Sequence, residues 1–232
     1  MQANSREWCG IFDRRLRSST RRKIICALDF ADFQPVLYAA TVMNAFSRPW
    51  CVAGGWAIDL WLGRATRGHT GVSVAIFRDD QIALRDFLGA GWRFWIVGRD
   101  GSARPWRRDD RQMLMLPVQQ VCGAPTGGRR RVEFYLHESD SVDWIFRHDA
   151  RVRWPIDQWT VRGAFGVPAL APHLAMLFKS TPRRPQDELD FRSVEPELPP
   201  ELKRWLADAI ELTDPQHPWI DRLRRPAGAA GL

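Results

Sequence analysis

Lysine is almost absent from this sequence. Only Lys23, Lys179 and Lys203 carry that side chain, so 31 of the 34 basic residues are arginine. No window holds the roughly 18–20 uncharged apolar residues that a membrane-spanning helix needs, so we expect no membrane partner. No apolar stretch leads to a small-residue cleavage site near the amino end, so a secretory leader is not predicted and we expect a cytoplasmic protein.

Cysteine is scarce and scattered as well. The four thiols lie far apart in the chain and form neither a CxxC pair nor a Cys/His metal spacing: Cys9, Cys26, Cys51 and Cys122. Buried or free thiols in a reducing compartment are the simplest interpretation of this pattern. The five histidines show no metal-ligand spacing either, so the sequence predicts no thiolate or imidazole metal site.

Positive charge is abundant, with a net charge of +7 and a pI near 9.9. A basic chain can attract nucleic acid. An arginine excess with so little lysine, however, is typical of a high-GC genome, whose codon bias raises the arginine content along the whole chain. Arginine clusters lie at 14–22, 107–111 and 129–131, each in a predicted loop or terminus. We interpret them as solvated basic surface, with an anionic ligand or partner as the alternative, and expect no nucleic-acid partner.

Hydrophobic periodicity predicts a chain that alternates helices and strands before it becomes helical. An amphipathic helix is expected over 29–46, followed by helices at 56–62 and 79–88 and by strands at Trp50–Ala53, Val72–Phe77 and 92–98. Extended segments at 113–121 and 131–137 predict a hairpin whose turn is 123–128. After a connection at 142–167, further helices are predicted at Pro172–Ser180, 187–194 and 200–212.

These elements predict an α/β (α+β) protein, with a mixed sheet flanked by helices and a mostly helical carboxyl-terminal part. We divide the chain into a basic segment (1–28), an α/β core (29–140), a mostly helical part (141–226) and a disordered tail (227–232).

The most informative segment is 50–74, which reads WCVAGGWAIDLWLGRATRGHTGVSV. It resembles the signature of the aminoglycoside nucleotidyltransferases, within the DNA-polymerase-β-like superfamily: Gly-Gly-Trp-Ala-[Ile/Leu]-Asp, then Gly-Arg-x-Thr-Arg-x-His-x-Asp-x-Asp. Weaker likeness to 2''-adenylyltransferase-like proteins continues at 77–81, 144–147, 177–179 and 187–191. The resemblance implies a nucleotidyltransferase fold, with ATP and Mg²⁺ as its cofactors.

The resemblance also implies ligand-binding roles for six residues: Gly54, Gly55, Arg64, Arg67, His69 and Lys179. The glycines would let a triphosphate approach backbone N–H groups at a helix amino end. Each role has a plainer alternative, such as a tight strand–helix turn for the glycines or a lysine on a helix face for Lys179. Asp59 is expected to anchor Arg64 or Arg67, or to cap a neighbouring segment, while Asp187 and Asp190 are expected to be structural.

The chain departs from the family pattern at the two metal-binding aspartates, which are replaced by Gly71 and Ser73. In the family these carboxylates lie on one face of a strand and hold two divalent cations. Glycine has no side-chain ligand and a neutral hydroxyl binds Mg²⁺ poorly. We therefore expect no metal site and no cofactor, with ATP and Mg²⁺ as the alternative.

Three residues are candidates for catalysis. Glu133 lies where the family often places a third carboxylate, and it is interpreted either as a general base or as a strand residue paired with Arg131. His137 lies an even number of residues later, so a Glu/His acid–base pair is a hypothesis. Ser73 is the third candidate, although no Gly-x-Ser-x-Gly elbow surrounds it.

Three functions fit these observations. The first is a nucleotidyltransferase-fold protein repurposed as a metal-independent enzyme or binder of a small molecule in bacterial specialised metabolism. The second is an aminoglycoside-type adenylyltransferase, and the third is a non-catalytic protein-interaction module. The first explains the Gly71 and Ser73 substitutions directly, and we take it as the prediction.

Overall fold

The protein folds as a mixed α/β structure, as the sequence predicts. The structure is a computed structural model that describes residues 32–98, 100–181 and 184–225. The predicted basic segment 1–28 and the tail 227–232 lie outside the described residues. Among the described residues, no helix is both long and apolar enough to span a bilayer.

Seven helices and ten strands are described. The helices are α1 (Gln34–Met43), α2 (Gly54–Leu62), α3 (Gln81–Leu88), α4 (Pro172–Ser180), α5 (Pro185–Val194), α6 (Pro200–Thr213) and α7 (Trp219–Arg224). The strands are β1 (Trp50–Ala53), β2 (Val72–Phe77), β3 (Trp92–Val97), β4 (Ala103–Pro105), β5 (Gln120–Pro125), β6 (Val132–Ser139), β7 (Asp143–Ile145), β8 (Arg153–Pro155), β9 (Thr160–Arg162) and β10 (Pro168–Leu170).

The main sheet runs in the order β4-β3-β5-β6-β2-β1-β10-β9. Strand β2 pairs in parallel with β6 and β1 pairs in parallel with β10, whereas the other neighbours are antiparallel. Strands β7 and β8 extend from the end of β6. Since β9 and β10 join this sheet, its hydrogen bonds cross the predicted boundary at residue 140, and the division into parts stays a prediction.

The two faces of the sheet differ in burial. On one face a row of directly opposed residues is fully buried in the core: Val74, Phe134, Val121 and Ile96. The next row points to the opposite face, because side chains alternate along a strand. Its members are only partly buried: Ser73, Glu133, Cys122 and Trp95.

Several predicted elements are confirmed. Strands β1 and β2 and helix α4 have the predicted bounds. Helix α2 ends at the predicted residue, where Gly63 adopts the left-handed conformation (φ 69°) that favours glycine at a helix end. The helix begins at Gly54, two residues earlier than predicted, so both glycines of the motif belong to its first turn.

The predicted hairpin forms, but the bounds of its first strand were wrong. Residues 123–125, predicted as part of the turn, lie within β5. Gly123 belongs in this strand for a packing reason, since a Cβ there would meet Phe94 at 2.9 Å and Phe134 at 3.0 Å. The backbone of Leu114, in the segment predicted as extended, is instead bonded by the side chains of Arg78 and Gln81.

The predicted connection at 142–167 was also wrong in part, because it contains β7, β8 and β9. These strands have only three residues each, which is too short for a period-two pattern to emerge in the sequence.

A buried histidine sits at the start of α4. His173 is 2% exposed and packs edge-on against Trp154 and Trp205. Neither ring nitrogen has a hydrogen-bond partner among the described residues. Burial lowers the pKa of His173 to about 3. The ring therefore stays neutral in the folded chain, while an unfolded histidine takes up a proton near pH 6.5.

This difference predicts a pH-dependent stability. As the pH falls below about 6.5, the unfolded state gains a proton that folded His173 cannot bind, so stability is lost down to about pH 3. Between pH 7 and pH 5, His173→Leu should lose about 2 kcal/mol less free energy of unfolding than the wild type. Urea denaturation at both pH values measures this, and equal losses in the two proteins would contradict it.

Candidate functional site

A single row of residues across the sheet forms the centre of the candidate site. Ser73 on β2 lies opposite Glu133 on β6, which lies opposite Cys122 on β5, and Cys122 lies opposite Trp95 on β3. Residues that oppose each other on neighbouring strands share a face of the sheet. A hydroxyl, a carboxylate, a thiol and an indole are thereby presented side by side.

The hydroxyl and the carboxylate are in direct contact. Ser73 Oγ donates a hydrogen bond to Glu133 Oε2 at 3.2 Å. A Cβ built on Gly71 would lie 4.0 Å from Glu133 Oε1, and one built on Gly54 would lie 3.6 Å from Ser73 Oγ. The structure thus brings together Gly54, Gly71, Ser73 and Glu133, although they come from three separate strands or strand ends.

The residues at this point do not fit the pair of Mg²⁺ ions that the sequence resemblance implies. Glu133 supplies one carboxylate, Ser73 supplies a neutral hydroxyl, and Gly71 supplies no side-chain atom. Two dications held at one site call for several carboxylate oxygens. Among the described residues, no group of three or more His, Cys, Asp or Glu side chains is placed to hold a metal ion.

Glu133 influences two neighbouring groups on this face. Burial raises the pKa of the Tyr135 hydroxyl, and the negative charge of Glu133 raises it further. Burial also raises the pKa of the Cys122 thiol, where the charges of Arg131 and Glu133 act in opposite directions. Glu133 forms no ion pair with Arg131 in the structure, so the alternative of a paired strand residue is not what the structure describes.

Gly55 has a packing role. A Cβ at this position would lie 2.4 Å from His69 Cε1 and 2.5 Å from Arg67 Nη2. The absence of a side chain therefore lets the loop after α2 fold back over the first turn of that helix. His69 then stacks on Trp56 with ring centroids 4.2 Å apart.

Asp59 organises this loop. It accepts hydrogen bonds from the Thr66 backbone N–H at 3.1 Å and from the Thr66 hydroxyl at 2.5 Å, and it pairs with His69 Nε2 at 2.7 Å. Arg67 Nη1 lies 3.1 Å from His69 Nδ1. Since a guanidinium can only donate, Nδ1 accepts this bond and Nε2 carries the proton donated to Asp59. Of the two alternatives expected for Asp59, the capping of a neighbouring segment is the one that the structure describes.

Arg67 and Lys179, two predicted ligand-binding residues, take part in a buried ion-pair network. Arg67 binds Asp190 through two hydrogen bonds of 2.8 and 2.9 Å. Lys179 binds the same aspartate at 2.7 Å and Asp187 at 3.1 Å. Burial favours the neutral form of Asp190, but the hydrogen bond from Arg67 and the charge of Lys179 outweigh it, so its pKa is lowered.

This network confirms the structural role expected for the two aspartates, which are almost fully buried. It also accounts for the charges of Arg67 and Lys179 within the fold. Arg64 is exposed in the loop after α2. Ligand contacts by these three residues, and by His69, stay predictions.

His137 shares a strand face with Glu133 but lies four residues away, roughly 13 Å along the strand. Its ring is 3% exposed, and Nδ1 accepts a hydrogen bond from Trp144 Nε1 at 2.8 Å. Burial, followed by the charges of Arg147 and Arg78, lowers the pKa of His137 to about 3. The geometry therefore places His137 in the aromatic core rather than beside Glu133, and a direct Glu/His pair does not form.

A cavity of about 830 Å³ opens over the partly buried face of the sheet. Its lining includes Glu133 and Gly71 together with residues that the sequence analysis did not select: Tyr38, Trp95, Cys122, Arg129, Arg130 and Arg131. The arginine run was visible in the sequence but was interpreted as loop surface. Its place at the cavity follows from the β5–β6 hairpin, which brings residues 129–131 next to Glu133.

Comparisons with models of known families and with curated proteins found no match. Among solved structures, the chain is similar to the antibiotic-resistance factor ANT(2'')-Ia in solution (TM-score 0.48, 14% identity, 83% of this chain and 93% of that chain). It is also similar to ANT(2'')-Ia in complex with adenylyl-2''-tobramycin (TM-score 0.47, 15% identity, 83% and 99%). A third is the lincomycin-bound lincosamide antibiotic adenylyltransferase LnuA (TM-score 0.48, 12% identity, 70% and 95%).

These likenesses are ones of overall fold. At 12–15% identity and with TM-scores of 0.47 and 0.48, they assign neither a ligand nor a reaction to this chain.

The packing role of Gly55 can be tested by a matched pair of substitutions. Gly55→Ala should lower the free energy of unfolding by about 1–3 kcal/mol, because the added methyl group displaces the Arg67 and His69 side chains. Gly68→Ala is the control in the same loop, since a Cβ there meets nothing within 4 Å. Urea denaturation of both variants gives the comparison, and equal stabilities would refute the role.

Proposed function

We propose that this chain binds a small organic molecule in the cavity beside Glu133, and that it works there as a metal-independent enzyme or binder. One observation carries the proposal. At the point where two-metal chemistry needs a cluster of carboxylates, Glu133 has a hydroxyl on one side and a glycine on the other.

The cavity has the dimensions of a ligand site. Its volume of about 830 Å³ lies within the range of roughly 300–1,000 Å³ that is usual for small-molecule pockets. The lining holds two aromatic rings, Tyr38 and Trp95, together with the carboxylate of Glu133 and the arginines at 129–131. A cavity of this volume supports a small molecule rather than a protein surface as the occupant.

Glu133 supplies the chemistry that this site can offer. Its carboxylate can accept a hydrogen bond, or a proton, from a hydroxyl or amine of the ligand. The hydrogen bond from Ser73 holds one oxygen of the carboxylate in place at 3.2 Å. Ser73 therefore serves as a positioning residue for Glu133 in this proposal, with Glu133 as the group that accepts the proton.

Adenylyl transfer from ATP is the second candidate, and one feature favours it. Gly54 has a φ of 67° and sits at the first turn of α2, next to Ser73. A glycine in this position leaves the backbone open to a phosphate group at a helix amino end. The missing carboxylates at positions 71 and 73 weigh against this candidate.

Binding through Glu133 predicts a specific loss. The ligands for this test are metabolites that raise the melting temperature of the wild type in the presence of a chelator. They should bind Glu133→Gln about 10–100-fold more weakly than the wild type, because a charge-assisted hydrogen bond contributes about 1.5–3 kcal/mol. Glu201→Gln on the exposed side of α6 is the control and should bind like the wild type. Calorimetric titration measures all three proteins. Equal affinities for the two variants would exclude Glu133 from the site.

Titration with ATP, with Mg²⁺ and with a chelator, separates the two candidates. Mg²⁺ should not increase the affinity of the wild type for ATP, because the ligand set is incomplete. The double substitution Gly71→Asp and Ser73→Asp restores two carboxylates beside Glu133 and should introduce Mg²⁺-dependent binding. Mg²⁺-dependent binding by the wild type, with release of pyrophosphate when an acceptor is added, would establish adenylyl transfer instead.

A further inference from the structure

Three consecutive arginines line the same cavity as Glu133. Arg129, Arg130 and Arg131 follow the turn between β5 and β6, and all three are exposed. Arg131 lies immediately before β6 and precedes Glu133 by two residues, and both residues line the cavity. Together with Glu133, these residues give the cavity lining three positive charges and one negative charge.

Several exposed arginines of this chain have carboxylate partners, whereas the arginines at 129–131 have none among the described residues. Arg151 pairs with Asp149, Arg153 with Asp140 and Asp143, and Arg224 with Asp208 and Glu211. In the part of the chain that the structure describes, no carboxylate forms an ion pair with any of residues 129–131. Their charge is therefore available to a ligand.

Two aromatic rings stand beside this charge. The guanidinium of Arg130 lies over the ring of Tyr38 with its carbon 5.0 Å from the ring centroid. Trp95 lies in the same cross-strand row as Glu133, with Cys122 between them. Both rings line the cavity and offer it flat apolar surface.

We propose that the ligand of this cavity is an organic anion with a planar ring system. Its phosphate or carboxylate group is bound by the arginines at 129–131, its ring lies against Trp95 and Tyr38, and a hydrogen-bond donor on the ring reaches Glu133. This inference rests on the small-molecule site proposed above. The site would then prefer anions. A polycationic acceptor such as an aminoglycoside would be repelled by the three arginines.

The anionic group in this proposal is recognised by side chains, in a manner that needs no cation. Guanidinium groups bind phosphate and carboxylate through paired N–H donors, and they keep their charge at every physiological pH. The arginines lie on the hairpin, and neither Gly54 nor Gly55 is among the residues that line the cavity. The site thus differs in position and in chemistry from a triphosphate site at the helix amino end.

Cys122 provides a direct readout of occupancy. Its thiol lies on the cavity floor between Trp95 and Glu133 and is partly exposed, whereas Cys51 is fully buried. A bound molecule should slow the alkylation of Cys122 by iodoacetamide. The rate is measured in the full chain, by mass spectrometry of the peptide that contains Cys122. Three probes with one ring system and different charge test the proposal: 2-naphthyl phosphate, 2-naphthol and 2-naphthylmethylamine.

The expected result is an order of protection that follows charge. Half-protection of Cys122 should need at least about tenfold less naphthyl phosphate than naphthol, which corresponds to a difference of about 1.4 kcal/mol in binding free energy. The amine should protect least. Protection by the naphthol or the amine at equal or lower concentration would overturn the anion preference and leave the small-molecule site standing. Failure of all three probes to protect would overturn both proposals.

A pair of variants with equal net charge locates the effect. In Arg130→Gln/Arg131→Gln, the advantage of naphthyl phosphate over naphthol should disappear. In Arg162→Gln/Arg204→Gln, which removes two exposed arginines outside the cavity, the advantage should persist. The charge of Arg131 itself lowers the pKa of the Cys122 thiol. Alkylation rates with and without probe are therefore compared within each variant. Equal loss in both variants would mean a general charge effect and would overturn the proposal.

Discussion

The parallel pairing of β2 with β6 is the constraint on which the site depends. It places Ser73 opposite Glu133 and, on the other face, Val74 opposite Phe134. A shift of one residue in this register would turn the carboxylate into the core and Phe134 toward the cavity. The burial of the apolar row therefore fixes the position of the polar row, so the stability of the core and the geometry of the site are set by the same pairing.

A second constraint joins the motif to the carboxyl-terminal helices. Arg67, from the loop after α2, and Lys179, from α4, neutralise Asp190 on α5. Such a network is costly to break, because removing one member leaves a buried charge without its partner. Residues that the family resemblance assigns to ligand binding are thus used to hold three segments together. Gly55 makes this arrangement possible by leaving room for Arg67 and His69.

The charges of the molecule are distributed unevenly between these two regions. In the network, Arg67 and Lys179 each face a buried carboxylate. At the hairpin the arginines face the cavity without acidic partners among the described residues. The site that emerges has one carboxylate on its floor and positive charge at its edge, a polarity that a two-metal site would reverse. With glycine at 71 and arginine at 129–131, the cavity lining carries a net positive charge.

The sequence by itself determined the strongest local elements. Strands β1 and β2 and helix α4 follow from buried apolar runs and from Gly and Pro boundaries, which act over a few residues. The motif at 50–74, with glycine at 71 and serine at 73, predicts a cleft without a metal site, and this stays a prediction. These are local properties, and the chain displays them in order.

Only the tertiary structure decided which residues meet. Gly123 looked like part of a turn, but the rings of Phe94 and Phe134 require a glycine inside a strand. Strand periodicity predicts that His137 and Glu133 share one face of β6, which suggested a pair. Periodicity does not specify which residues cover each end of that face. Residues 129–131 looked like solvated surface until the hairpin register placed them at the cavity. Pairing between distant strands decides such contacts, and no local pattern encodes it, because each contact depends on residues tens of positions away.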